Sequence, residues 1–180
     1  SAASDVYKRQ VHGNVNELDL SHANVADISC LQGIKIKRLT LNYCNNLCDV
    51  SVLSTLLELK YLFLQGCTKI TVLPALGYNV ECLDLGETNV ADISGLQGSK
   101  IERLDLYGCT NLSDISVLST LLELKVLNLG SCKNIKDVSM LGHVTKKVDI
   151  SCTSVTDISA LGRVKVLYHK GCKITKFPQT

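Results

Sequence analysis

The chain has 180 residues, 46% of them hydrophobic, with a formal net charge of +2 at pH 7 and an isoelectric point near 8.0. That is ample apolar material for a buried core, and the lysines and arginines are scattered, with no basic block of the kind that binds nucleic acid or anionic lipid. No apolar run is long enough to span a membrane, and no signal-peptide pattern is present.

Residues 1–10 (SAASDVYKRQ) share nothing with the rest and are read as a disordered or artefactual leader. Residues 11–180 read as one elongated domain, a fragment of a longer array, since terminal repeats normally carry a polar cap. From there a leucine-x-leucine pair returns along the chain. Its anchors are Leu18/Leu20, Leu39/Leu41, Leu62/Leu64, Leu83/Leu85, Leu104/Leu106, Leu127/Leu129 and Val148/Ile150, with a degraded copy at Leu167/His169. The steps are 21, 23 and 21 residues, then 21, 23 and 21 again, so the larger unit is 65 residues. Residues 51–60 (SVLSTLLELK) match 116–125, and 37 of 65 positions agree between the two copies, which points to internal duplication.

Each coil opens with a short strand, x-L-x-L-x, whose leucines alternate with polar residues as in a half-buried strand. A return segment follows, ending in Asp-Ile/Val-Ser and an x-Leu pair. Ser29, Ser51, Ser94, Ser116, Ser139 and Ser159 are placed to cap short turns with their hydroxyls. Those turns are expected to be mostly 3₁₀, with longer α-turns over 52–59 and 117–124. Stacked in parallel about 4.8 Å apart, the strands build one sheet. Two coil types alternate. Leu41-Cys44-Leu47, Leu64-Cys67-Ile70, Leu106-Cys109-Leu112 and Leu129-Cys132-Ile135 share one spacing. Leu20-Ala23-Val25, Leu85-Thr88-Val90 and Ile150-Thr153-Val155 form a shorter loop.

On these residues the chain resembles leucine-rich-repeat proteins over about 14 to 177. The short coils are similar to the internalin type, and the cysteine coils resemble the subclass found in F-box-type adaptors. The phrase GCTNLSDISVLSTL also looks like kinetoplastid leucine-rich-repeat arrays. The resemblance implies an α/β solenoid of about eight coils, with a curved parallel sheet on one face and short 3₁₀ or α turns on the other. The departure is that Ala23, Thr88 and Thr153 stand where the family carries Asn.

Nine cysteines invite a disulfide or metal reading. Cys44, Cys67, Cys109, Cys132 and Cys172 share one repeat site, which favours a ladder of buried free thiols. Unpaired thiols lean towards an intracellular setting without deciding it. The repeated Asp27, Asp49, Asp92, Asp114, Asp137 and Asp157 are read as backbone N–H acceptors, because they lack the dense spacing of a calcium loop. One glycosylation sequon, Asn111-Leu112-Ser113, arises readily by chance. No nucleophile–base motif, phosphate loop or zinc pattern appears, so the chain reads as a non-enzyme with no cofactor and no metal.

The outer sheet face carries the functional expectation. Tyr61, Phe63, Tyr107 and Tyr168 fall on it although aromatics make up only 4% of the chain. With Arg38, Asp84, Arg103, Asp105 and Lys147 they are the candidate partner-binding residues, the first anchors being Arg38, Tyr61, Phe63, Arg103 and Tyr107. The competing explanation is that cross-strand pairs such as Arg38–Tyr61 and Asp84–Arg103 only stabilise the sheet. The expectation is a monomeric protein-interaction module binding a protein partner on the concave sheet face. The alternatives are the recognition segment of a larger enzyme or ubiquitin-ligase adaptor, and a structural or surface-antigen array. At the C-terminus His169 takes a leucine position and Phe177-Pro178 replaces Ile-Ser, so the last coil is expected to be the least stable.

Overall fold

The computed structural model describes residues 16–144 and 146–179, and the leader at 1–10 lies outside the described residues. Eight three-residue strands form one parallel sheet in sequence order: β1 (Glu17–Asp19), β2 (Arg38–Thr40), β3 (Tyr61–Phe63), β4 (Cys82–Asp84), β5 (Arg103–Asp105), β6 (Val126–Asn128), β7 (Lys147–Asp149) and β8 (Val166–Tyr168). Each strand is centred on the first leucine of its pair, or its Val148 equivalent, and pairs with the next coil without slippage. The register follows from burial. Leu39, Leu62 and Leu127 are fully enclosed, and a one-residue slip would turn every one of them to solvent. Burial of each such side chain contributes about 1.5–3 kcal/mol.

The return segments are 3₁₀ turns at Ser29–Leu31, Ser51–Thr55, Ser94–Leu96, Ser116–Thr120, Ser139–Leu141 and Ser159–Leu161. The α-turns expected over 52–59 and 117–124 are not formed. Their five-residue turns stay 3₁₀, because Thr55 and Thr120 send their hydroxyls back to the carbonyls of Val52 and Val117, both at 2.7 Å. Those hydroxyls also accept the amides of Gly33 and Gly98 from the preceding coil, at 3.0 Å each. The SVLSTL string thus makes the same bonds in both copies.

The serines do not cap these turns. Each turn is opened by the aspartate two residues earlier, which accepts the serine N–H at 2.7 to 2.9 Å. A single 3₁₀ turn leaves its first N–H groups free, and a carboxylate two residues upstream reaches them better than the serine hydroxyl does. These bonds hold the carboxyls of Asp49, Asp92, Asp114 and Asp137 below the usual range. The hydroxyl and amide of Ser159, with Lys176, bring Asp157 down to about 2. A carboxyl whose pKa falls on folding stabilises the fold above its unfolded pKa near 3.8 and loses that contribution as pH drops through the folded value. Denaturant midpoints should therefore fall between about pH 4 and pH 2. An Asp114→Asn, Asp137→Asn chain keeps both acceptors and should fall less steeply; an unchanged slope would remove these caps from the acid sensitivity.

The cysteines of the long coils form the expected ladder of free thiols. Cys44, Cys67, Cys109 and Cys132 are fully buried. Each thiol donates to the carbonyl that closes the strand of the preceding coil: Leu20, Leu41, Leu85 and Leu106, at 3.0 to 3.2 Å. Cys172 repeats the contact to Ile150 at 3.0 Å. Thr88 and Thr153, in the place of Asn, donate to the carbonyls of Leu85 and Ile150 in their own coil at 2.7 Å. Ala23 has no side-chain donor to do so and packs its methyl group against the core.

One further column was not foreseen. His22, Tyr43, Gly66, Glu87, Gly108, Ser131, Cys152 and Gly171 all have positive φ, between 58° and 81°. The left-handed residue points its amide into the next coil, as in Tyr43 N–H to the Gln65 carbonyl at 2.7 Å. Non-glycine residues there cost about 1–2 kcal/mol each, offset by the neighbouring coils.

Candidate functional site

The in-register stack converts each strand position into a column on the outer face. The column before the buried leucine holds Arg38, Tyr61, Cys82, Arg103, Val126 and Lys147. The column after it holds Phe63, Asp84, Asp105, Asn128 and Tyr168. Eight of the nine predicted site residues lie in these two columns. Tyr107 stands two residues beyond β5, 45% exposed, with its ring against Gly130, where a Cβ would sit 3.1 Å from the ring edge.

The residues do not gather into one site. They form two aromatic ends and a polar centre. At one end the Arg38 guanidinium lies 4.6 Å from the Tyr61 ring centre and 5.4 Å from that of Phe63, with Glu17 3.6 Å away. At the other, Lys147 lies 5.0 Å from the Tyr168 ring. Cation–ring contacts at these distances contribute about 0.5–1 kcal/mol each on an exposed surface. The Arg38–Tyr61 pair therefore exists as expected. The Asp84–Arg103 ion pair does not: among the described residues neither joins any ion pair within 4.0 Å.

The acidic residues have a backbone task that the sequence did not reveal. Asp84 Oδ1 accepts the Gly86 amide at 2.9 Å, and Asp105 Oδ1 accepts the Tyr107 amide at 2.8 Å. Asp19, Asn128 and Asp149 do the same at their own strand ends. The amide of Asn128 also donates to Asp105 Oδ2 at 2.9 Å. Burial pushes the Asp84 carboxyl up, and the Asp105 and Glu87 carboxylates add to this, against the pull of the Gly86 amide.

Between the two ends lies a shallow groove of about 230 Å³. Phe63, Cys82 and Val126 line it together with the polar Asp84, Arg103, Asp105, Asn128 and Lys147. A depression of about 300 Å³ on the turn side, around Cys48 and Pro74, is lined by the already capped Asp49 and presents no aromatic ring. Among the described residues no three His, Cys, Asp or Glu side chains are grouped to hold a metal. No helix among them is long and apolar enough to cross a membrane.

Neither a protein-family model nor a curated protein matches the chain. Solved structures do. An internalin, inlF, from Listeria monocytogenes superposes with a TM-score of 0.82 at 28% identity, over 93% of this chain and 51% of that one. The chain has the fold of an internalin-like leucine-rich-repeat protein. It spans about half the length of inlF. Internalin C2 of the same species shares the fold, with a TM-score of 0.69 at 22% identity over 84% of this chain and 69% of that one.

Within this internalin-like stack, Cys82, Val126 and Asn128 are the groove residues that reasoning from the sequence passed over. Their signal was present. All three are positions where the second copy of the duplication carries a different side chain from the first, and Val126 and Asn128 are smaller than their counterparts Tyr61 and Phe63.

Proposed function

We propose that this internalin-like chain is a non-catalytic module that binds a protein partner on its sheet face, made concave by the curvature of such stacks. The observation that carries the reading is the placement of aromatics. Four of the eight Tyr and Phe residues stand on this face, outside the core, and Tyr107 and Tyr168 are 45% and 48% exposed. Exposed rings on a pleated surface contribute little to folding, whereas Tyr and Arg dominate the energetics of protein interfaces. Arg38, Tyr61, Phe63, Arg103 and Tyr107 are the anchors in this reading. Asp84, Asp105, Lys147 and Tyr168 supply charge and polarity around them.

The test is a peptide-display selection against the folded chain, followed by hydrogen-exchange footprinting of the peptides obtained. Protection should fall on β3–β6. Tyr61→Ala combined with Phe63→Ala should weaken binding by about thirtyfold, the loss of roughly one anchor's worth of energy. Footprints confined to the 3₁₀ side, with the double variant binding normally, would sink the surface assignment.

A further inference from the structure

The duplication provides an internal control for the groove. In the first copy Arg38 is covered: Tyr61 and Phe63 lie against its guanidinium, and Glu17 sits 3.6 Å from it. The residue 65 positions later is again arginine, Arg103. Its three neighbours have all changed. Tyr61 becomes Val126, Phe63 becomes Asn128 and Glu17 becomes Cys82. The register places these substitutes around Arg103 as their counterparts surround Arg38. The 230 Å³ groove is lined by all three, so it occupies the ground that two aromatic rings cover in the first copy. Arg103 is exposed, has no ring over its guanidinium and joins no ion pair among the described residues.

We propose that this groove is a docking pocket for one aromatic side chain of a protein partner, whose ring takes up against Arg103 the place that Tyr61 and Phe63 hold against Arg38. The inference rests on the protein-binding reading above and names the chemistry of its central contact. The groove matches a ring in each direction. Phe63 and Val126 offer apolar walls, and the guanidinium suits a ring face. Asp84 and Asp105 bring negative charge to the groove, which suits a ring's positive edge. Asp84 is held to the backbone through Oδ1, leaving Oδ2 to accept from a phenol O–H or an indole N–H. Tyrosine and tryptophan therefore fit better than phenylalanine. Aliphatic side chains gain the walls but neither the guanidinium nor the carboxylate.

The experiment uses N-acetyl-tyrosinamide and N-acetyl-leucinamide as probes, followed by ¹H–¹⁵N NMR including the arginine Nε–H signals. Tyrosinamide should give saturable shifts at Arg103 Nε–H and at the Val126 and Asn128 amides, with a dissociation constant on the order of millimolar, as befits one anchored side chain. Leucinamide should bind about fivefold more weakly or less, the share that cation–ring contact supplies. The filled variant Val126→Tyr, Asn128→Phe rebuilds the first copy's arrangement. It should abolish the tyrosinamide shifts and move Arg103 Nε–H upfield by ring current, towards the Arg38 signal. Val126→Tyr alone serves if the double variant does not fold. Equal binding of the two amides, no saturable shift with tyrosinamide, or undiminished binding to the filled variant would each overturn the proposal. These failures are separable from failure of the broader reading. Displayed peptides that footprint on β3–β6 without an aromatic residue in the groove would leave protein binding on this face standing, whereas tyrosinamide bound at Arg103 with all peptides on the turn side would do the reverse.

Discussion

Raising the pH from about 9 to about 12 should unfold the chain through its thiol ladder. Burial pushes all four inner thiols up, Cys67 to about 11 and Cys132 to about 12, the latter helped by the neighbouring Cys109. The physical reason is visible in the bonds. Each thiol donates its only proton to a buried carbonyl, and a thiolate there would set two acceptors against each other in a space without water. In the unfolded chain the same groups ionise near the ordinary value of 9.0. A pKa raised by folding means that the full stability is present below 9 and is lost as pH climbs towards the folded value. Each such thiol costs about 1.4 kcal/mol per pH unit inside that window. Two of them over two units amount to several kcal/mol, on the order of a domain's whole stability. Denaturant midpoints measured from pH 7 to 11 should therefore fall steeply above 9. Cys67→Ala with Cys132→Ala should start lower, because of the cavities left, and fall less steeply. An equally steep fall in that variant would assign the alkaline transition to other groups. Thiol labelling gives a second reading: exposed Cys48 and Cys152 should react in the native state, and Cys44, Cys67, Cys109 and Cys132 only as fast as the chain opens.

How far the sequence could be read depends on which physical rule governs each position. The strands were legible because a buried sheet face forces period two, and the stack forces that period to recur at coil length. So β1 to β8 fall on their leucine pairs, including the irregular step to Val166–Tyr168. The thiol ladder was legible for the same reason, since only a small apolar donor suits a buried turn that returns every coil. The aspartates are the backbone N–H acceptors their repeat suggested, but the serines were also read as caps because Asp and Ser are both good caps and stand two apart. A 3₁₀ turn of three residues then decides between them by geometry that spacing does not carry. The left-handed column stayed hidden because His22, Tyr43, Glu87, Ser131 and Cys152 are not residues that announce positive φ. There the coil's hydrogen bonds, not local preference, set the backbone. On the sheet face, Asp84 and Asp105 look like charges offered to a partner, yet half of each carboxylate is committed to a strand end. The groove at Arg103 is legible only by comparing the two copies, since no single side chain marks an opening made by smaller neighbours.

Hydrogen exchange should show the last coil opening far more readily than the centre. Leu83, Leu104 and Leu106 are enclosed by coils on both sides and at most 1% exposed. In the final coil Leu167 is only partly buried, His169 is exposed although it takes a leucine position, and Phe177 is 60% exposed. The Val166 amide is bonded back to Lys146, and Thr175 and Lys176 to Thr156, so among the described residues the coil is held by the one before it. In a stack where each coil contacts only its neighbours, opening an inner coil breaks two interfaces and opening this one breaks one. The interface spared is worth a few apolar side chains at about 1.5–3 kcal/mol each. Amides at 167–177 should accordingly exchange about a thousandfold faster than those of β4 and β5, every tenfold corresponding to about 1.4 kcal/mol of local stability. One feature works in the opposite direction: Pro178 packs over Gly162, and Lys176 reaches Asp157 at 3.2 Å. If that closure acts as a cap, protection at 167–177 will equal that at 83–106, and the picture of a weakly held final coil is wrong. Asp157→Ala separates the two cases, since it should lower protection at 167–177 sharply only if the end is a cap.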